Sequence, residues 1–259
     1  MSWTTRTLGR VLGRIPTRWF GELGLEAMLT RARHVSPREG LAMLFEIDRR
    51  VYLMEGRLSK AYDGGVHAKH RLTRYHDFFV DRIAEGERVL DVGCGIGALA
   101  HDIAGRCRAR LTGIEIDVSN LAEARRRFPH ERVTYIEGDV TRDIPGGGFD
   151  VIVLSNVLEH LRDRPAVLRR LAETTGAERL LIRVPAFERD WRVPLRREIG
   201  ADWRLDDTHE TEYTIESMQA ELEEAGLSLT ELESRWGELW VQAHAAASPT
   251  HATSAGERA

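Results

Sequence analysis

Gly93, Gly95 and Gly97, with Cys94 between the first two, follow directly on the run Val89-Leu90-Asp91-Val92. Glycines at that spacing let a chain turn tightly and let a ligand approach its backbone. The next residues, Ala98 to Ala104, have helical periodicity, so the turn opens onto a helix N-terminus. There the unpaired N–H groups and the positive dipole end favour an anionic group. Glu115 stands about twenty residues further on, where an acid can hold a ribose hydroxyl. A nucleotide-like ligand is the chemistry this pattern suits. The glycines alone leave open a dinucleotide, since Gly93, Gly95 and Ala98 satisfy the relaxed form of that fingerprint too.

These residues need a parallel sheet behind them. Val89, Leu90 and Val92 have the branched apolar character of a strand covered on both faces. From Arg88 onward strands and helices alternate, which predicts right-handed crossovers in a mainly parallel sheet. Strands are expected at 88–92, 110–115, 133–137, 149–155, 179–184, 228–233 and 238–245. Helices are expected near 97–107, 118–128, 164–177 with a cap at Asp163, and 214–225. Gly237 and the short spacing predict an antiparallel final pair. Upstream, Ser36-Pro37-Arg38-Glu39 is a helix start with a capping box, and Asp63-Gly64-Gly65 supplies the stop near Tyr62.

VLDVGCGIG at Val89 to Gly97, GIEID at Gly113 to Asp117, EGDV at Glu137 to Val140 and FDVIVLSNVLEHL at Phe149 to Leu161 occur in that order. Together they resemble the class I S-adenosylmethionine-dependent methyltransferases over about Arg88 to Ala245. The resemblance implies an α/β, Rossmann-like three-layer sandwich with a seven-stranded, mostly parallel sheet and an antiparallel last strand. It also implies an N-terminal helical lid over residues 1–85 and a methyltransferase domain over 86–246 with a substrate-side insertion at 185–213; the Ala- and Ser-rich composition of the end predicts a disordered tail at 247–259. S-adenosylmethionine is the implied cofactor. Asp91 and the Gly93-Cys94-Gly95-Gly97 turn then serve its methionine end, and Glu115 the ribose diol. Asp139, Val140 and Ile116 serve the adenine, Ser155 and Asn156 lie near the sulfonium, and Tyr75 lines the pocket.

Methyl transfer is an in-line displacement at carbon, so alignment matters and a hydroxyl nucleophile needs a base. His160 and His209 are the candidate bases, with Glu159, Asp206, Asp207 and Glu210 as polar company. The stretch Asn156 to His160 resembles the loop of ubiquinone-type O-methyltransferases, in which an acid at the first position joins the later glutamate and histidine around a divalent metal. Asn156 stands at that first position here, so a metal is allowed but not expected. Trp191, Trp203, Asp207 and Tyr213 are the candidate acceptor contacts, aromatic faces interleaved with arginines being suited to a sugar or phenol ring. Arg71, Tyr75 and His76 are candidates to line the cofactor pocket. His70 and His76, six residues apart, are not expected to share a face of one regular helix.

Composition sets the outer bounds. The chain has 259 residues, 42% hydrophobic and 30% charged, with a formal net charge of −4, which gives no global field for nucleic acid. Cys94 and Cys107 are the only cysteines, which fits a reducing cytoplasm. No apolar run approaches the roughly 20 residues of a membrane span, and no secretory signal is expected. The arginines at 6, 10, 14 and 18 are expected to form the solvated face of an appendage packed on the core, and a homodimer through the N-terminal helices is allowed. The expected function is methyl transfer to an oxygen or nitrogen of a small molecule. The alternatives are an RNA or protein methyltransferase, a nicotinamide-dependent oxidoreductase, and a cofactor-binding scaffold without turnover.

Overall fold

The computed structural model describes residues 12–245; the arginines at 6 and 10 and the tail at 247–259 lie outside them. The chain forms two compact units. The first runs to Ser59 and includes Pro194–Trp203; the second comprises Lys60–Val193 and the chain from Arg204 onward. The first unit therefore ends earlier than residue 85 and takes up part of the 185–213 insertion.

In the first unit, α1 (Thr17–Arg33) buries none of its residues. Trp19 and Phe20 are exposed. Helix α2 starts at Pro37 and runs to Tyr62. Its capping box is made as the sequence predicts: the Ser36 amide donates to Glu39 Oε2 at 3.0 Å, and the Glu39 amide donates to Ser36 Oγ at 3.3 Å. Within the same unit Arg196 pairs with Asp48 and lies over the Phe45 ring, and Arg38 donates to the Ile199 carbonyl at 3.0 Å.

The second unit is built on a seven-stranded sheet in the order β3-β2-β1-β4-β5-β7-β6. The strands are β1 (Arg88–Val92), β2 (Arg110–Glu115), β3 (Val133–Glu137), β4 (Val151–Ser155), β5 (Arg179–Pro185), β6 (Leu227–Arg235) and β7 (Glu238–Ala245). The first five pair in parallel, and β7 runs antiparallel to both its neighbours. Along β1 the residues alternate between two cores. Leu90 and Val92 join a cluster with Ile114, Ile152 and Leu154, while Val89 joins one with Phe79, Ile103 and Trp240. Both sheet faces are covered, which is why the strands read as nearly unbroken apolar runs.

Short helices α3 (Lys69–Thr73) and α4 (Tyr75–Val80) precede β1. Helices α5 (Ala98–Cys107), α6 (Val118–Arg127) and α7 (Arg164–Thr175) then link the parallel strands, with α8 (Arg192–Glu198) and α9 (Ile215–Glu224) before the last two. Some ends shift from their expected places for local reasons. Helix α5 begins after Gly97, whose φ of 79° is left-handed, and α7 ends at Gly176, whose φ is 70°. Asp163 makes no side-chain cap. Strand β4 starts at Val151, and just before it the Asp150 carboxylate accepts from the Arg88 amide at 2.7 Å.

Candidate functional site

Strand β1 lies between β2 and β4, the point where the strand order reverses and where ligands of open α/β sheets bind. The register sets Val92 beside Ile114 and Leu154, Glu115 beside Glu137, and Ser155 beside Arg183. Asp91, the glycine turn, Glu115, Ser155 and Asn156 are thus brought to one end of the sheet, as the sequence predicts.

The three glycines of the turn have left-handed φ values of 64°, 54° and 79°, but their surroundings differ. A Cβ on Gly93 would stand 2.5 Å from Val157 Cγ2, and one on Gly97 would collide with the Tyr135 hydroxyl. Those two glycines admit protein. A Cβ on Gly95 would meet open space, so Gly95 alone presents bare backbone outward. Cys94 is buried, its Sγ 2.8 Å from where a Cβ on Gly113 would be, so its role is packing between strands.

Glu115 is tied to the turn: the Gly95 amide donates to its Oε2 at 2.8 Å and the Asp117 amide to its Oε1 at 2.9 Å. Each oxygen keeps a second acceptor site. Asp91 is buried with Oδ2 lacking any hydrogen-bond partner. Burial, then the charge of Glu115, pushes its pKa up to about 7. An orphaned buried carboxylate of this kind fits a ligand ammonium. Beside it, the Gly95 backbone leaves open space in which a ligand can lie. Ile116 is 64% exposed, placed to cover a ring, and Val140 is in the core. Asp139 is spent locally: Oδ1 accepts from the Thr141 amide at 2.9 Å and Oδ2 from Arg142 Nε at 3.1 Å.

The pre-sheet segment departs from its expected form. Arg74 has a left-handed φ of 53°, which breaks the chain into α3 and α4. His70 and His76 therefore do meet, Nδ1 to Nε2 at 3.0 Å, because they do not share one helix. His76 reaches Asp102 at 3.0 Å, and the buried Tyr75 hydroxyl is 3.0 Å from His70 Nδ1. Burial, reinforced by His76, pushes the His70 pKa down to about 3 and keeps it neutral. Arg71 is exposed and pairs with Asp63 at 3.2 Å, away from the role suggested for it.

Beyond β4, Leu158–His160 form one 3₁₀ turn, and the Glu159 carbonyl accepts from the Glu210 amide at 2.8 Å. That bond holds the 206–212 loop against the turn. His160 and His209 consequently lie edge to face with ring centroids 4.7 Å apart. Thr208 Oγ1 donates to the Asp206 carboxylate at 2.6 Å and is 2.9 Å from His160 Nδ1. A carboxylate only accepts, so the threonine proton goes to Asp206 and His160 Nδ1 carries its own hydrogen. His209 Nδ1 is likewise committed to Glu212 Oε1 at 3.1 Å. Both histidines are left with Nε2 lone pairs. Glu159 is fully buried, with neither carboxylate oxygen partnered. Among the described residues, Glu159, His160 and His209 are the group whose ligand atoms lie within 4.8 Å of one another.

The acceptor candidates differ in their surroundings. Tyr213 is fully buried in the core and its hydroxyl donates to Glu221 at 2.8 Å, so it has no surface to offer. Trp191 is 71% exposed. Trp203 belongs to the first unit, where Arg197 lies 5.7 Å from its ring centroid, and Asp207 is exposed on its loop. The residue that sequence reasoning missed is Arg183. It is 3% exposed, its Cζ lies 3.5 Å from the Tyr75 ring centroid, its Nη1 is ion-paired with Glu238 at 3.6 Å, and its Nε has no hydrogen-bond partner. The signal was a charge inside the apolar strand RLLIRVP.

The model of a methyltransferase domain family matches residues 65–232. An uncharacterised methyltransferase of Mycobacterium tuberculosis is 38% identical over 84 residues, 32% of this chain and 42% of the relative. A ubiquinone biosynthesis O-methyltransferase of Rhodopseudomonas palustris is 29% identical over 154 residues, 56% of this chain and 60% of the relative. The alignments thus span about half of these relatives' own lengths. Among solved structures, magnesium protoporphyrin IX methyltransferase from Synechocystis with bound S-adenosylhomocysteine is similar in fold, with a TM-score of 0.56 at 20% identity, covering 70% of this chain and 85% of that one. The strand order, the glycine turn and the match of the family model across both lead to one conclusion: the chain belongs to the class I S-adenosylmethionine-dependent methyltransferases.

Proposed function

We propose that this chain transfers a methyl group from S-adenosylmethionine to an oxygen of a small polar molecule, with a nitrogen nucleophile as the second choice. The reading rests on the polar groups enclosed beyond β4 and β5. Glu159, His209 and Arg183 are all buried; neither Glu159 carboxylate oxygen nor Arg183 Nε has a hydrogen-bond partner. Buried polar groups without partners cost free energy that a small polar ligand recovers. Relatives named as ubiquinone biosynthesis O-methyltransferases favour oxygen over nitrogen.

In this reading the residues divide the work. Asp91 takes the cofactor's ammonium and Glu115 the ribose hydroxyls, while the open face at Gly95 lets the cofactor lie against the turn. When bound, the cofactor would supply an electrophilic methyl carbon on a sulfonium sulfur. The Nε2 lone pairs of His160 and His209 are available to the hydroxyl hydrogen, and Arg183 to an acidic substituent on the acceptor. Alignment carries most of the rate, since no covalent enzyme intermediate is needed.

The test is product analysis after incubating the full chain with methyl-labelled S-adenosylmethionine and a panel of catechols, hydroxybenzoates, sugars and amines, with RNA and protein added in parallel. Label on a small-molecule oxygen, with equal S-adenosylhomocysteine formed, supports the proposal. Label found only on added RNA or protein overturns it.

A further inference from the structure

We propose that Lys69 and Arg183 form a carboxylate subsite for the methyl acceptor, which makes the preferred acceptor a hydroxy acid and not a neutral phenol or sugar. The proposal rests on the small-molecule reading and narrows its substrate class. Lys69 opens α3 and Arg183 lies near the end of β5, so the two come from distant parts of the chain. Tyr75 joins them: its hydroxyl is 3.0 Å from Nδ1 of His70, the residue after Lys69, and its ring centroid lies 3.5 Å from Arg183 Cζ.

Both cations keep capacity for an anion. Arg183 is buried in an apolar strand, and Tyr75 covers one face of its guanidinium. Its Nε has no hydrogen-bond partner. Glu238, 3.6 Å from Nη1, is too far for a hydrogen bond and accepts instead from Trp240 Nε1 at 3.2 Å. A buried donor without an acceptor is costly, so the edge of the guanidinium is a place for an incoming oxygen. Lys69 is half-buried, and no hydrogen bond or ion pair of its ammonium is found among the described residues. Burial, then the positive charge of Arg183, lowers its pKa, while Glu238 and Glu159 act in the opposite sense. An anion placed between the two cations relieves their mutual repulsion.

A carboxylate suits this place better than a phosphate. Glu238 and Glu159 act on the same cations, so a dianion would meet repulsion that a single charge largely avoids. Burial pushes the Glu159 pKa up to about 7, which leaves the two cations short of negative charge near neutrality. A planar carboxylate also matches a guanidinium edge with two parallel bonds. The sheet order assigns the anion to the acceptor. Strand β4 stands between β1 and β5, about 10 Å of sheet, whereas the cofactor's ammonium and carboxylate sit on one carbon. With Asp91 of β1 holding that ammonium, Arg183 is left for a second molecule. Ser155 is the register partner of Arg183, so the carboxylate is held beside the strand end expected to face the sulfonium.

The test is calorimetry on the full chain saturated with S-adenosylhomocysteine, titrating 3,4-dihydroxybenzoate, salicylate, mandelate and lactate, each against its uncharged amide. The expected result is saturable binding of at least one acid, roughly tenfold or more tighter than its amide. Lys69→Gln and Arg183→Gln should each weaken that acid by about tenfold or more while leaving the affinities for the amide and for S-adenosylhomocysteine unchanged. Melting curves establish folding, and the half-buried Lys69→Gln site keeps the test available if Arg183→Gln does not fold. Equal binding of acid and amide, no binding by any of the four acids, or unchanged acid binding in folded Lys69→Gln overturns the proposal. A parallel loss of S-adenosylhomocysteine affinity in that variant also overturns it, by assigning the pair to the cofactor's own carboxylate. No methyl transfer is measured, so these outcomes leave the choice of methylated atom to the product analysis.

Discussion

The Gly95 amide donates to Glu115 Oε2 at 2.8 Å, so the acid at the end of β2 fixes the turn at the end of β1. Glu115 thereby holds the one glycine of the turn whose face is open. Glu115→Ala removes acceptors for two backbone amides as well as for a ribose diol. Cofactor affinity should fall by about 1–3 kcal/mol, read by calorimetry. Glu115→Gln keeps one carbonyl acceptor and should lose less. Unchanged affinity in a folded Glu115→Ala protein would remove the residue from the cofactor site.

Asp91 makes binding depend on pH. Its folded pKa of about 7 lies above the ordinary 3.8, so the folded state holds the proton more tightly than the unfolded one. Stability of the ligand-free protein should therefore be highest below about pH 3.8 as far as this group is concerned, and this contribution is lost as pH rises toward 7. A cofactor ammonium needs the charged form, so affinity should fall as pH drops below 7. Asp91→Asn should raise the ligand-free melting temperature at pH 8 and weaken cofactor binding there. A melting temperature lowered by that change would show Asp91 already satisfied.

The glycines of the turn should fail in different ways when replaced by alanine. Gly93→Ala and Gly97→Ala meet Val157 and Tyr135 in addition to a left-handed φ, and should lower the melting temperature markedly. Gly95→Ala meets no atom and bears only the left-handed strain of about 1–2 kcal/mol. It should stay folded and lose cofactor affinity instead. Thermal melts and calorimetry on the three variants separate these effects.

Much of the sheet could be read from the sequence because it is locally encoded. Apolar runs, glycine turns and the helix cap at Ser36 each lie within a few residues of what they determine. The candidate site is less accessible, because it depends on contacts between distant residues. His160 and His209 are recognisable as bases, but their 4.7 Å approach rests on a backbone bond between Glu159 and Glu210. The meeting of His70 and His76 depends on Arg74 adopting a left-handed φ that favours glycine, which no pattern announces. Tyr213 looks like a ring-binding residue by type, yet the sequence does not reveal that Glu221 waits for its hydroxyl inside the core.

Thr214 caps α9 through a reciprocal pair with Ser217, at 3.1 Å and 3.0 Å. Thr214→Ala should cost about 1 kcal/mol of stability without changing cofactor affinity. Denaturant unfolding measures the first and calorimetry the second; a changed affinity would mean that α9 communicates with the site.

The account's central claim is most directly tested by calorimetric binding of S-adenosylmethionine and S-adenosylhomocysteine to the full chain, with NADH as the comparison. Saturable binding of the first two at one site per chain, reduced in Asp91→Asn and Glu115→Ala, with no binding of NADH, is the predicted result. Binding of NADH with no affinity for either methionine-derived ligand, in folded protein, would contradict it.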